Sequence, residues 1–333
     1  MLKAGLIGFG GIAKAHRMAF KKLEELGYAE LVCAYDVDPN AFSKKITINI
    51  DSGKSVIDES IRFYTDLDEM LAKEEIDFVD ICIPSFLHSQ MSSDLLRRGY
   101  HVMCEKPMAL TYADCEEMIK ASEESGKELM IGQCLRFYPA FDYIKAAIDD
   151  NRFGKVQGAF FSRLSAPPVW GWENWFMDPE RSGGCITDLH VHDIDIVRYL
   201  FGEPEAVSCR ATTSICKFDT VHTSFFYGNT PITAVGDWTL TGIPFHADCR
   251  IDFEGATVTL DGSKNLRVYP KDGSDSYQVP LEDISGQHGE LAYFCDVIEG
   301  KIENTRNPAS SAAKTIRLVE RMRASADQNG ALM

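Results

Sequence analysis

Along the first third of the chain, short apolar runs alternate with longer amphipathic stretches. Ala4-Gly5-Leu6-Ile7 has the pattern of a buried strand running into glycines, and Gly11 to Leu26 carries helical spacing. Glu30 to Tyr35 reads as the next strand, closed by Asp36, and Asp38-Pro39-Asn40 as a turn or helix start. The alternation recurs with Phe78 to Ile83, followed by Pro84 and a helix as far as Arg98 and Gly99. It recurs again with His101 to Cys104 and a helix from about Thr111, and a further strand follows at Glu128 to Ile131. Apolar strands separated by amphipathic helices predict a doubly wound parallel sheet covered on both faces, an α/β construction. Residues 40–62 are longer and more polar than this scheme requires and receive no element.

From about Gly154 the rhythm changes. Val156–Arg163, Ala206–Thr213, Thr220–Tyr227, Ile232–Leu240, His246–Phe253 and Ala256–Leu260 read as successive strands. Gly228-Asn229, Glu254-Gly255 and Asp261-Gly262 supply turn chemistry between strands. Helical stretches fall near Pro139–Asp149, Leu189–Leu200, Glu290–Glu299 and Ser310–Ala326. This predicts an α+β domain with a large, mainly antiparallel open sheet. The expected division is 1–125 and 126–333, with the last helix free to pack back on the first domain.

Composition agrees with two globular domains. The chain has 333 residues, 45% hydrophobic and 25% charged, beyond the size at which one core usually stops growing. A net charge of −16 argues against nucleic acid or an anionic membrane as partner. No run approaches the ~18 apolar residues of a membrane helix. The opening Met1-Leu-Lys-Ala-Gly has no signal-peptide pattern, so a cytoplasmic location is expected. Ten cysteines occur without a C-x-x-C pair, and Cys33, Cys82 and Cys249 sit in apolar runs, which suits reduced core thiols.

The first strand runs into Gly8-Phe9-Gly10-Gly11-Ile12-Ala13, a G-x-G-x-x-A string. In a Rossmann βαβ unit, Gly8 permits the tight turn, Gly10 lets backbone approach a pyrophosphate, and Ala13 allows close helix–strand packing. The helix that follows offers N–H groups and a positive dipole end to phosphates, which a strongly acidic protein must supply locally. Asp36, closing the second strand, is placed to accept ribose hydroxyls and to repel a 2′-phosphate, so NAD is expected rather than NADP. The plainer alternatives are a glycine turn that binds nothing and an aspartate that caps Asp38-Pro39.

Further strings carry a resemblance. They are Glu105-Lys106-Pro107 after a strand, Cys82-Ile-Pro84-Ser85-Phe-Leu-His88 after another, Arg136-Phe-x-Pro139, and Ser182-Gly-Gly-Cys-Ile-Thr-Asp188-Leu-His190-Val-His192-Asp-Ile-Asp195. Together with the glycine turn, and over nearly the whole length, the chain resembles the glucose–fructose oxidoreductase and inositol dehydrogenase (Gfo/Idh/MocA) family. The resemblance implies an NAD domain followed by a domain whose open sheet mediates homodimers or homotetramers. It also implies that Pro84, Ser85, His88, Glu105, Lys106 and Arg136 lie near the cofactor. His192 matches the family's proton-transferring histidine and Asp188 its substrate-binding or orienting partner.

Residue chemistry points the same way. Oxidation of an alcohol needs a hydride acceptor and a group to remove the hydroxyl proton. Lys106, following a buried strand, stands where ligands bind in doubly wound folds and can hydrogen-bond the reacting oxygen. On a helix, Asp188, His192 and Asp195 would share one face, and a carboxylate beside a histidine suits acid/base work. A capping aspartate and a satisfied histidine are the plain alternative. His190 would point about 160° away from His192, so the two cannot share a metal in a regular helix, though they could if the segment were extended or distorted at its start; no metal is expected.

Pro167-Pro168-Val-Trp170-Gly-Trp172-Glu173-Asn174-Trp175-Phe176 concentrates aromatics that could stack on sugar C–H faces, or equally pack within a loop or subunit contact. Tyr138, Arg163 and His246 are weaker pocket candidates. The leading expectation is an NAD-dependent enzyme that reversibly oxidises a secondary hydroxyl of a cyclic polyol or sugar. Two alternatives remain: an NAD-retaining, redox-assisted glycosidase, and a non-catalytic sugar or NAD sensor.

Overall fold

A computed structural model describes residues 1–42 and 60–333. The chain forms two compact units. The first comprises Met1–Cys134, Trp170–Trp175 and Ser285–Ile316, and the second Leu135–Val169, Phe176–Ile284 and Arg317–Met333.

The first unit begins β1 (Leu2–Ile7), α1 (Ala13–Glu25), β2 (Ala29–Tyr35), β3 (Arg62–Tyr64), α2 (Leu67–Lys73), β4 (Phe78–Ile81), α3 (His88–Arg97), β5 (His101–Glu105), α4 (Tyr112–Ser125) and β6 (Leu129–Gly132). The strands lie in the order β3-β2-β1-β4-β5-β6, and every pairing is parallel. Leu6, Ile7, Phe78, Val79 and Ile81 are wholly buried, as expected of central strands covered on both faces. Asp80, in the middle of β4, is equally buried and is the exception that matters below. Helix ends follow side-chain chemistry: Asp66 caps α2, Thr111 caps α4, and Gly126 ends α4 in the left-handed region.

At the end of residues 40–62, the stretch left unassigned from the sequence, Arg62 opens β3. This strand is three residues long and not fully buried, so it lacks the apolar run that marks the other strands. Residues 43–59 of that stretch lie outside the described residues.

The second unit contains α5 (Pro139–Asp149), β7 (Val156–Leu164), α6 (Pro179–Ser182), α7 (Cys185–Asp188), α8 (Val191–Phe201), β8 (Ala206–Ala211), β9 (Thr220–Tyr227), β10 (Thr230–Asp237), β11 (His246–Phe253), β12 (Ala256–Asp261), β13 (Asn265–Pro270) and β14 (Tyr277–Gln278). Its sheet runs β14-β13-β12-β11-β7-β10-β9-β8. All pairs are antiparallel except β7 with β10. One face is core and the other open: in β9, Val221, Thr223 and Phe225 are buried whereas His222 and Phe226 are exposed. The last two strands were not anticipated. In β13, Leu266 and Val268 alternate with Arg267 and the exposed Tyr269, a run too short and polar to stand out.

Two helices complete the chain, α9 (Gly286–Ile298) and α10 (Ala309–Asp327). Within the first unit α9 packs against α1, β5 and β6, with Phe294 edge-on to Phe78 at 5.6 Å between ring centres. Asn307 follows it and donates to the Ile131 carbonyl at 2.7 Å. All ten cysteines are free and buried. No helix among the described residues is long and apolar enough to cross a membrane.

Candidate active site

In the first unit the turn after β1 is shaped by close approach. Gly8 has φ +89°, and a Cβ there would stand 2.6 Å from the Cys82 carbonyl oxygen, so only glycine fits. A Cβ at Gly10 would meet nothing within 4 Å, so the space over the turn is open. Gly11 follows, Ile12 stands at the N-cap of α1 and Ala13 is buried at its first position. No side chain among the described residues caps this helix, and its first turn holds no acid. The positive end of its dipole thus faces the turn with no acid in the helix's own first turn to compete, which suits an anion. These features fit a dinucleotide pyrophosphate.

Asp36 pins the same turn. Its Oδ2 accepts the Phe9 N–H at 2.8 Å and its Oδ1 the Asp38 N–H at 2.9 Å. Each carboxylate oxygen keeps further lone-pair capacity for a ribose hydroxyl. The Phe9 ring stacks edge-on to Phe42 and Phe63, with the Arg17 guanidinium 4.6 Å from its centre.

Because β1, β4 and β5 are parallel, their carboxyl ends share one edge. Pro84 introduces a short 3-10 turn that begins at the buried Ser85. His88 ties two chain segments together, its Nδ1 2.7 Å from the Pro107 carbonyl and its Nε2 2.9 Å from that of Ile83. The Lys106–Pro107 peptide is cis. Glu105 turns inward, and its Oε2 accepts the Lys106 backbone N–H at 2.9 Å.

Behind Glu105 lies a network that sequence reasoning missed. His16 Nε2 is 2.8 Å from Glu105 Oε1 and Nδ1 is 2.7 Å from Asp80 Oδ2. With an acceptor on each side the ring donates twice and is an imidazolium. Burial alone would lower its pKa, but Asp80 and Cys82 together outweigh this and raise it well above the ordinary value. Burial would raise the Glu105 pKa, but the hydrogen bond and charge of His16, with Lys106, outweigh it and hold the carboxyl below its usual range. Glu290, wholly buried on α9, completes the group. The available signal was Asp80, a lone acid inside the apolar run Phe78 to Ile83.

The second unit brings together a different set. Arg136 meets Asp195 in a two-point ion pair, at 2.8 and 2.6 Å, and Arg163 meets Asp193 likewise, at 3.0 Å for each bond. All four residues are buried. Burial raises the Asp193 pKa, but Arg163 and His190 outweigh it and the net shift is downward. Tyr138 stands at the N-cap of α5, and His246 is 45% exposed at the start of β11. Thus Arg136 and Asp195, expected at the cofactor and the substrate, are joined to one another.

The expected single helix through Asp188, His192 and Asp195 is corrected. Asp188 ends α7, and α8 starts only at Val191. Between them the His190 N–H reaches back five residues to the Cys185 carbonyl at 2.8 Å. A wide turn of this kind breaks the 3.6-residue phase, so the i, i+4 spacing does not by itself give Asp188 and His192 one face. His190 is wholly buried, with Nε2 3.2 Å from Thr223 Oγ1, while His192 is only half-buried.

Trp170 and Trp172 are exposed at 36% and 51%, whereas Trp175 and Phe176 are buried. Glu173 and Asn174, with φ of 48° and 54°, are consecutive non-glycine residues in the left-handed region. Such backbone is strained and is held by its surroundings.

A doubly wound parallel sheet with this glycine turn, followed by a separate mixed sheet, has the architecture of a dinucleotide-binding protein with a second domain. Residues 2–133 match the profile described as oxidoreductase family, NAD-binding Rossmann fold, and residues 141–279 match the GFO/IDH/MocA C-terminal domain. The chain belongs to the GFO/IDH/MocA oxidoreductase family. It is 32% identical over 294 residues to inositol 2-dehydrogenase of Rhizobium meliloti, covering 85% of this chain and 82% of that protein. It is 34% identical over 151 residues to 2,7-anhydro-N-acetylneuraminate hydratase of Mediterraneibacter gnavus, covering 43% of this chain and only 38% of the hydratase. In fold it is similar to levoglucosan dehydrogenase, solved with NADH and levoglucosan, at TM-score 0.82 and 20% identity, covering 100% and 98% of the two chains.

Proposed function

We propose that this protein oxidises, reversibly and with NAD, a secondary hydroxyl of a cyclic polyol or sugar. The observation that carries the proposal is the position of Lys106. It follows β5 at the same edge of the parallel sheet as the Gly8–Ala13 turn, the edge where doubly wound folds bind ligands. When bound, the nicotinamide supplies a hydride acceptor. Lys106 hydrogen-bonds the reacting oxygen, and His192 takes the hydroxyl proton with Asp188 as its partner. Asp36 disfavours a 2′-phosphate. Inositol 2-dehydrogenase and levoglucosan dehydrogenase, among the similar proteins, favour this substrate class.

The test is NAD reduction across a panel of inositols, aldoses and anhydrosugars, with NADP in parallel. Turnover on one cyclic polyol or sugar, lost in both Lys106→Ala and His192→Ala, is expected. Undiminished turnover in Lys106→Ala would refute the assignment. A second reading is favoured by the hydratase relative: NAD stays bound and a sugar linkage is opened with no net oxidation. It predicts product without accumulated NADH on the anhydrosugars.

A further inference from the structure

The first unit buries a cluster of ionisable groups. His16 of α1, Asp80 of β4, Glu105 of β5 and Glu290 of α9 are all at most 5% exposed, and Cys82, just beyond β4, is also 5% exposed. Burying charge costs several kcal/mol per ion before pairing, and well-packed apolar residues often serve stability as well or better. Connectivity indicates what the arrangement does. The chain runs from Asp80 Oδ2 to His16, from His16 to Glu105 Oε1, and from Glu105 Oε2 to the Lys106 N–H. It ends on the backbone of the residue to which the reaction is assigned.

We infer that His16 is a positioning residue for Lys106: by clamping the Glu105 carboxylate against Asp80, it fixes the hydrogen bond that holds the Lys106 backbone at the end of β5. Three elements besides its own helix bring ionisable groups to His16. Asp80 and the Cys82 thiol come from β4 and its exit, Glu105 from β5, and Glu290 from α9. A carboxyl oxygen of Glu290 lies within 4.8 Å of the His16 and Glu105 atoms. Neither Glu290 oxygen has a hydrogen-bond partner among the described residues, as suits a neutral acid that does not compete for the imidazolium. With His16 so held, a carboxylate on each side fixes its ring plane, and the ring in turn fixes Glu105. The inference rests on Lys106 acting as proposed above.

The test uses the full chain and two readouts. One is hydrogen exchange at the Lys106 amide, which needs no substrate. The other is the split between kcat and KM on the substrate that the panel identifies. In His16→Asn, exchange at Lys106 is expected to quicken by about tenfold or more as the local bond opens. kcat is expected to fall by about 10- to 100-fold, the scale of a slightly misplaced group, while KM for NAD stays within about twofold. Asp80→Asn keeps the shape and the direct His16–Glu105 contact. It should give an intermediate effect on both readouts, and it serves if His16→Asn does not fold. Unchanged Lys106 exchange in a folded variant overturns the positioning role. So does unchanged kcat when Lys106→Ala is inactive, and the dehydrogenase reading then stands. If Lys106→Ala retains activity, that reading fails instead, and the exchange measurement alone decides whether His16 holds this backbone.

Discussion

Arg136 and Asp195, 59 residues apart in sequence, face each other in a two-point ion pair with both side chains at most 2% exposed. Removing one member of such a pair leaves an uncompensated buried charge. Arg136→Met is therefore expected to cost about 3–5 kcal/mol in denaturant unfolding, and Arg136→Met with Asp195→Leu to recover much of it. A loss under about 1 kcal/mol for the single variant would show that the pair is not the anchor its geometry indicates.

Gly8 and Gly10 should separate folding from binding. Gly8→Ala places a Cβ against the Cys82 carbonyl at a positive φ. It should lower the melting temperature, with at least the roughly 1–2 kcal/mol of a left-handed non-glycine residue. Gly10→Ala meets open space and should fold normally, yet bind NAD about tenfold or more weakly because its methyl fills the approach to the pyrophosphate. Calorimetry of both variants checks this. Normal NAD affinity in Gly10→Ala would move the cofactor away from this turn.

Glu290 gives a pH signature. Burial, and next the charge of Glu105, hold its pKa well above the ordinary 4.5. The folded state binds this proton more tightly than the unfolded chain. The associated stability is complete below the unfolded pKa and is lost as pH rises toward the folded one. Glu290→Gln removes that loss. The variant's melting temperature, relative to the native protein, should climb from pH 4 to pH 8. A difference independent of pH would mean that folding does not shift the Glu290 pKa.

The open face of the second unit's sheet is expected to join copies of the chain. Phe160, Thr233 and Ser224 are register partners across β7, β10 and β9, and none is fully buried. Phe226, two residues beyond Ser224 and so on the same face, is 39% exposed. Light scattering should give a multiple of 37.2 kDa, and Phe160→Glu should reduce it to the single-chain mass. A monomeric native protein would remove this expectation.

Sequence alone determined what is decided within a short window. The Gly8–Ala13 turn, the alternation of strand and helix up to β6 and the mainly antiparallel set of strands from β7 to β12 follow from backbone freedom at glycine and from apolar periods of about two and 3.6 residues. The position of Lys106 at the end of a buried strand was equally legible. Tertiary structure alone decided the rest. His16 meets Asp80 across 64 residues and Glu105 across 89, and Glu290 joins them from a helix near the other end of the chain. Arg136 and Arg163, expected at the cofactor and the pocket, are paired with Asp195 and Asp193 because the chain just before α5 and strand β7 lie alongside α8. The break at Leu189–His190 shifts the phase that a regular helix would have kept. No local pattern encodes such pairings, since they depend on which strands become neighbours and in which register. The low dielectric of the interior then decides which ionisable groups must be paired and which must hold a proton.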